Sequence, residues 1–185
     1  DVYGEFVYAT ENNQAKYAGI WHTNKIAYTA ENSVMASIVG QLMSTNLTNS
    51  VREDEGAAYS PHASASLDMS FEPELVVQAS FGIDPKKKDR VCELTTKALT
   101  DLSTNVKEEE LSKIKEYMLK AIDQNEHENR YWLNVMYAYL NTGVDRNAGY
   151  RDIVKGLTPA KIQDFTKKIL AAGNRIQFVM LPPAE

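Results

Sequence analysis

Residues 4–9 and 14–22 carry Phe6, Tyr8, Tyr17, Ile20 and Trp21 among short polar steps. Such side chains suit a half-buried pleated surface, so both stretches are expected to be extended. After Thr29 the period changes. Val34, Ile38 and Leu42 fall on one stripe and Met35, Val39 and Met43 on the next, which predicts a long helix with a broad apolar face for a sheet. The pattern fades at Asn46, Thr48, Asn49 and Ser50, residues that favour caps and turns, so the helix is expected to end there. A charged turn over 51–58 then feeds a strand, in which Tyr59, Pro61, Ala63, Ala65 and Leu67 alternate with Ser60, His62, Ser64 and Ser66. Beyond the Glu72-Pro73-Glu74 break, Leu75, Val77, Ala79, Phe81 and Ile83 alternate again, and the short connection makes this strand antiparallel to the one before.

Asp84-Pro85 reads as an N-cap with proline at the first helical position. Val91, Leu94, Ala98, Leu99 and Leu102 mark that helix's buried face; Leu111, Ile114, Met118 and Ile122 mark a second over 107–123. A third, over 129–140, is crowded with Tyr131, Trp132, Leu133, Val135, Met136, Tyr137, Tyr139 and Leu140, and Gly143 stops it. Large apolar groups on every side of a helix indicate burial, so this one reads as core, with a docking face as the alternative. Thr158-Pro159 opens a last helix ending at Gly173, with Ile162, Phe165, Ile169 and Leu170 inward, and residues 176–181 form a final strand before Pro182-Pro183. The order strand, strand, helix, strand, strand, helices, strand lacks the regular alternation of a parallel doubly wound fold. It predicts an α+β domain with a mixed, mainly antiparallel sheet and helices packed on one face. No internal repeat or linker divides the 185 residues, so residues 1–185 are expected to be a single domain.

Composition narrows the function. Twenty Lys+Arg against twenty-five Asp+Glu give a net charge of −5, which argues against a broad phosphate-binding surface and hence against nucleic acid as a partner. With 43% apolar and 24% charged residues the chain is too apolar for disorder, and no apolar run reaches the roughly 20 residues of a membrane span. Cys92 is the only cysteine, which excludes an internal disulfide framework and a multi-cysteine zinc site. The first residue is Asp1 rather than Met, from which the chain is expected to be a processed or excised piece of a longer protein.

The familiar catalytic patterns are missing. Of His22, His62 and His127, no two stand in an HExxH or HxxEH arrangement. Glu126-His127-Glu128 looks like a metal cluster, but neighbours on a helix diverge by about 100° and cannot meet at one ion; a solvated helix face is the expectation. His62 reads as a solvated strand residue and Cys92 as a core or semi-core thiol. The scattered glycines form no phosphate-cradling loop, and Lys86-Lys87-Lys88 reads as a solvated helix start. No catalytic residue and no metal ligand are therefore assigned within the chain.

One segment stands apart: Arg52-Glu53-Asp54-Glu55-Gly56-Ala57-Ala58-Tyr59-Ser60, preceded by an amphipathic helix and followed by a strand. It resembles the R-E-K-x-G-x-x-Y-S run of the non-catalytic, C-terminal domain of the M16 (pitrilysin, insulysin) zinc peptidases. Arg52 and Tyr59 are seven apart, as in that pattern, although Asp54 stands where the family commonly has lysine. The order continues to match through the Glu-Pro break, Asp84-Pro85, Leu157-Thr158-Pro159 and the last strand over 175–181, so the resemblance covers nearly the whole chain.

In that family two related halves enclose a chamber. One holds zinc through H-x-x-E-H and a downstream glutamate; the other offers an arginine and a tyrosine to the substrate. The resemblance implies an M16-type α+β fold, no cofactor in this fragment, zinc in a partner catalytic half (same chain or separate subunit), and a peptide substrate held by Arg52 and Tyr59. The residue types suit that task. A peptide carbonyl under hydrolytic attack gathers negative charge on its oxygen, and a neutral tyrosine hydroxyl donates a hydrogen bond to it. An arginine fork binds carbonyls or a carboxylate and keeps its charge. Read from the residues alone, Arg52 pairs with a neighbouring acid and Tyr59 packs on the preceding helix. Two other functions compete: a catalytically inert peptide-binding or assembly scaffold of the same fold, and an unrelated α+β interaction domain docking through residues 131–140. No compartment is implied, since family members occupy periplasm, organelles and cytosol; a bacterial one is periplasmic or cytoplasmic.

Overall fold

The structure is a computed structural model and describes residues 1–9 and 14–183. In chain order it comprises β1 (Val2–Val7), β2 (Ala15–Thr23), α1 (Ala30–Leu47) running into a π-helical segment (Thr48–Asp54), β3 (Ala63–Met69) and β4 (Pro73–Ile83). A 3-10 turn (Pro85–Lys87) leads to α2 (Lys88–Thr100); α3 (Glu108–Asn125), α4 (Asn129–Thr142), α5 (Tyr150–Gly156), α6 (Pro159–Ala171) and β5 (Arg175–Leu181) follow. The five strands lie in the order β1-β5-β2-β4-β3. β1 runs parallel to β5, and every other pair is antiparallel, with Ala18 opposite Phe178, Gly19 opposite Ala79 and Ala65 opposite Val77. The sheet is mixed and mainly antiparallel, as the pattern predicts.

Alternation decides which side of the sheet is covered. Ala15, Tyr17 and Trp21 of β2, Leu75, Val77 and Ala79 of β4, and Val179 of β5 are buried in one cluster with Val34, Ile38, Leu42 and Met43 of α1, Val91 and Leu99 of α2, and Ile162 and Phe165 of α6. Their neighbours Lys16, Ser64 and Gln78 are exposed. Thr29 caps α1, its hydroxyl accepting from the Asn32 amide at 3.0 Å. At Gly40 the helix lies so near β3 that a Cβ would stand 2.4 Å from the Ala65 amide nitrogen. Only a residue without a side chain allows that approach.

Three expectations are corrected and one helix is added. The helix does not stop at 46–50: Thr48 and Ser50 return their hydroxyls to the carbonyls of Ser44 and Asn46 at 3.0 and 2.8 Å, and burial of Leu47 and Val51 overrides the weak local propensity. The strand expected from Tyr59 begins four residues later, at Ala63. α5 is too short for periodicity to announce it. Most consequentially, α4 is not core. Only Ala138 among its residues is buried, because α4 leaves α3 through the short turn 126–128 and no described residue covers its far side.

Candidate functional site

The segment 51–60 takes its shape from a helix end. Gly56 has φ +57°; its amide bonds the Arg52 carbonyl at 3.1 Å and the Ala57 amide bonds the Val51 carbonyl at 2.8 Å. The Gly56 bond, closed by a left-handed glycine, is the single bond of an αL stop, and the wider Ala57 bond carries on the loose winding of the π-helical segment it ends. Val51 and Ala57 are buried beneath it, and the Asp84 amide donates to the Ala57 carbonyl at 2.9 Å, tying the loop to the end of β4. With 51 and 57 turned inward, Arg52 and Tyr59 emerge outward together. The guanidinium carbon of Arg52 stands 5.5 Å from the centroid of the Tyr59 ring, a cation–π contact. Tyr59 is 82% exposed.

The acids around Arg52 are divided between partners. Glu55 is held from α2: its carboxylate accepts from Arg90 Nε at 2.7 Å and its carbonyl accepts from Lys87 Nζ. Glu53 stays beside Arg52, its Oε1 3.3 Å from Nε. Both members of that pair are largely solvated, so it contributes at most about 1 kcal/mol and leaves the guanidinium free to take a stronger partner. The residue-level expectation is thus met for Arg52 but not for Tyr59, which packs on the arginine and projects from the surface. Beside the ring lies an open groove of about 450 Å³, lined by Gln14, residues 56–58, Gly82, Ile83, Asp84 and Pro85.

The clamp of Lys87 and Arg90 on Glu55 is invisible in sequence, since the partners lie more than thirty positions apart. It corrects the reading of residues 86–88 as merely solvated: Lys88 also bonds the Glu5 carboxylate. Glu126-His127-Glu128 occupies the turn between α3 and α4 rather than a helix, and Glu126 is engaged by Arg151 through two bonds of 2.8 Å. His62 is exposed, with Nδ1 3.3 Å from the Ser60 carbonyl. His22 meets Glu74 at 3.1 Å. Among the described residues no group of three or more His, Cys, Asp or Glu side chains is placed to hold a metal ion. Cys92 is half-buried, and burial, with Asp89 and Glu5 nearby, pushes its thiol up to about 11, the opposite of an activated nucleophile. No helix among the described residues is long and apolar enough to cross a membrane.

The family profile of the peptidase M16 inactive domain matches residues 3–118. The chain belongs to that family. No curated protein matches the sequence. Solved structures share the fold at low identity. The ferredoxin protease FusC, in complex with Arabidopsis ferredoxin, superposes with a TM-score of 0.81 at 17% identity, over 99% of this chain and 20% of that one. The periplasmic protease PqqL from Escherichia coli gives 0.80 at 15%, over 98% and 21%. The inactive peptidase domain of a protein named as a zinc protease from Bordetella parapertussis gives 0.73 at 16%, over 96% of both chains. The chain therefore spans about one fifth of FusC and of PqqL. The first half of PqqL, taken by itself, also matches, at 0.70 and 12% over 97% of this chain and 42% of that one. Membership in the M16 inactive-domain family removes the unrelated interaction domain from the competing readings.

Proposed function

We propose that this M16 inactive domain, acting as one unit over residues 1–185, is the substrate-positioning half of a zinc-dependent endopeptidase that cleaves peptides in an enclosed chamber. The observation that supports it is the pairing of Arg52 with Tyr59: two exposed donors, side by side on a rigid helix stop, bound internally only by a weak surface pair and a cation–π contact. The Tyr59 hydroxyl is a neutral donor for a carbonyl oxygen that gains negative charge, and the Arg52 fork holds a neighbouring carbonyl or terminal carboxylate. Resting on the ring, the guanidinium also keeps the phenol from rotating freely, which lowers the ordering cost of binding. Zinc, for which the described residues form no donor cluster, belongs to the partner catalytic half.

The test is complementation. The HxxEH-bearing M16 domain from the same genome, loaded with zinc, is assayed for peptide hydrolysis with the wild-type chain, Tyr59→Phe and Arg52→Ala. Loss of an oxyanion donor lowers kcat by roughly a hundredfold or more, and Arg52→Ala raises KM. Unchanged rates in both variants overturn the assignment. Peptide binding without turnover in every mixture identifies an inert scaffold instead.

A further inference from the structure

A second cavity opens where α3, α4 and the loop into α5 meet. It holds about 260 Å³ and shares no lining residue with the groove beside Tyr59. Its floor is apolar: Met118 and Ile122 of α3 are buried, and Val135 of α4 is half-buried. Helical periodicity builds that floor, because Met118 and Ile122 stand four apart and share one face of α3. Its rim is polar, with Asn134 on α4, Arg146 on the connecting loop and Tyr150 at the start of α5.

The charge left over at the rim decides what fits. The acids around it are engaged elsewhere. Arg151 binds Asp123 Oδ1 at 2.7 Å and Glu126 Oε2 at 2.8 Å, and Asp145 Oδ1 accepts from the amides of Asn147 and Ala148 at 2.9 and 3.0 Å. The Tyr131 hydroxyl is taken up by Asn147 Oδ1 at 2.6 Å. Arg146, by contrast, pairs with no acid among the described residues. Burial pushes the Tyr150 phenol up against the opposing charge of Arg146, so its hydroxyl stays protonated and able to donate. An uncommitted guanidinium fork and a neutral phenol beside an apolar floor make a seat for a carboxylate joined to an apolar body. The Asn134 amide adds one donor and one acceptor, the pair that a peptide-type amide needs. The volume lies just under the roughly 300 Å³ at which sites for drug-sized ligands begin. The guest is therefore one or two residues long, not an extended segment. With a net charge of −5, the chain has no general attraction for anions, so any preference for a carboxylate is local.

We infer that this cavity binds an apolar amino-acid residue bearing a free carboxylate. The carboxylate meets Arg146 and Tyr150, the preceding amide meets Asn134, and the side chain rests on Met118 and Ile122. The carboxy-terminus of a peptide and a free N-acylated amino acid share that chemistry. The inference draws nothing from the roles given to Arg52 and Tyr59.

The test uses the full 185-residue chain with labelled methionine methyl groups, so that Met118 reports on the cavity by NMR, and calorimetry for affinity. The probes are an acetylated Ala-Ala-Leu peptide with a free carboxylate, the same peptide as its terminal amide, and N-acetyl-leucine. The acid is expected to shift the Met118 methyl signal and to bind at least tenfold more tightly than the amide. Arg146→Gln alters an exposed position, so the fold is kept; the acid falls to the affinity of the amide, and the amide is unaffected. Ala121→Leu, which adds bulk to the cavity wall, weakens acid and amide alike. Tighter binding of the peptide acid than of N-acetyl-leucine assigns the cavity to peptide ends, and the reverse or equality assigns it to the free acyl amino acid; either bears out the shared chemistry. Equal binding of acid and amide overturns the inference. So does an Arg146→Gln or Ala121→Leu protein that binds the acid as wild type does, a Met118 methyl that does not respond, or no binding at all. Hydrolysis by the complemented pair is not the readout, so these failures leave the proposed function standing.

Discussion

Two glycines frame the candidate site, and they should fail in different ways when replaced. At Gly40 an added Cβ would stand 2.4 Å from the Ala65 nitrogen, 2.8 Å from the Ser64 carbonyl carbon and 3.0 Å from its Cα. These are backbone atoms of a paired strand, so no side-chain rotation relieves them, and α1 must lift from β3 by about 1 Å to reach ordinary contact distance. A gap of that size forfeits a quarter to a half of each dispersion contact beneath Ile38, Val39 and Leu42. Overpacking of this kind costs about 1–3 kcal/mol, and the lost contacts put it at the upper end. Alanine recovers about 1 kcal/mol through helix propensity. Gly40→Ala is therefore expected to lose about 2 kcal/mol net, or roughly 4–8 °C in Tm for a chain of this length. Gly56 is the reverse case: nothing lies within 4 Å of its absent Cβ, but φ is +57°. There the cost is conformational, about 1–2 kcal/mol for alanine, and less for asparagine, which tolerates the left-handed region. Urea denaturation of the Ala and Asn variants at both positions separates the two causes. Asparagine should rescue position 56 relative to alanine and worsen position 40. A Gly40→Ala protein as stable as wild type, or one rescued by asparagine, refutes the close-approach argument.

Other outcomes follow from the same structure. Arg52→Ala and Tyr59→Phe touch only solvated groups, so urea midpoints should stay within about 0.5 kcal/mol of wild type; a larger loss would show that the pair holds the fold rather than a ligand. Glu55→Gln releases Arg90 and should speed hydrogen exchange across residues 56–60 while costing about 1 kcal/mol or less, readable by mass spectrometry. Because the folded Cys92 thiol sits near 11 against about 8.5 in the unfolded chain, native protein at pH 8 should react with a disulfide reagent roughly two hundredfold more slowly than protein in guanidinium. Tyr17 is also pushed up, to about 12, chiefly by burial. Both acids are held protonated by the fold, so their contribution is intact below the unfolded values near 8.5 and 10 and is lost as pH rises through 11 and 12. Tyr17→Phe should flatten the alkaline fall expected in Tm above pH 10, and should itself cost about 1–2 kcal/mol, because Gln177 Nε2 loses its 2.7 Å acceptor.

What could be read from sequence was what repeats at short range. Alternation in 75–83 and four-residue steps in 34–43 report a covered side directly, and both elements stand where the pattern puts them. The candidate site was legible only through the resemblance of residues 52–60 to the family's run. Read from the residues alone, Tyr59 was expected against the preceding helix, because local pattern does not show that burial of Val51 and Ala57 around the left-handed Gly56 turns Arg52 and Tyr59 outward. The Lys87 and Arg90 clamp was not legible, because it depends on α2 arriving beside the loop from more than thirty residues away. α4 failed for a deeper physical reason. A helix that packs on its own domain and a helix that packs on a neighbour remove the same kind of surface from water, and the transfer free energy per unit area does not record whose atoms do the covering. Composition therefore calls for burial without saying by what. On α4 the inward contacts of Tyr131, Val135 and Ala138 satisfy only one side, and the demand expressed by Trp132, Leu133, Met136, Tyr137 and Leu140 is left standing at the surface.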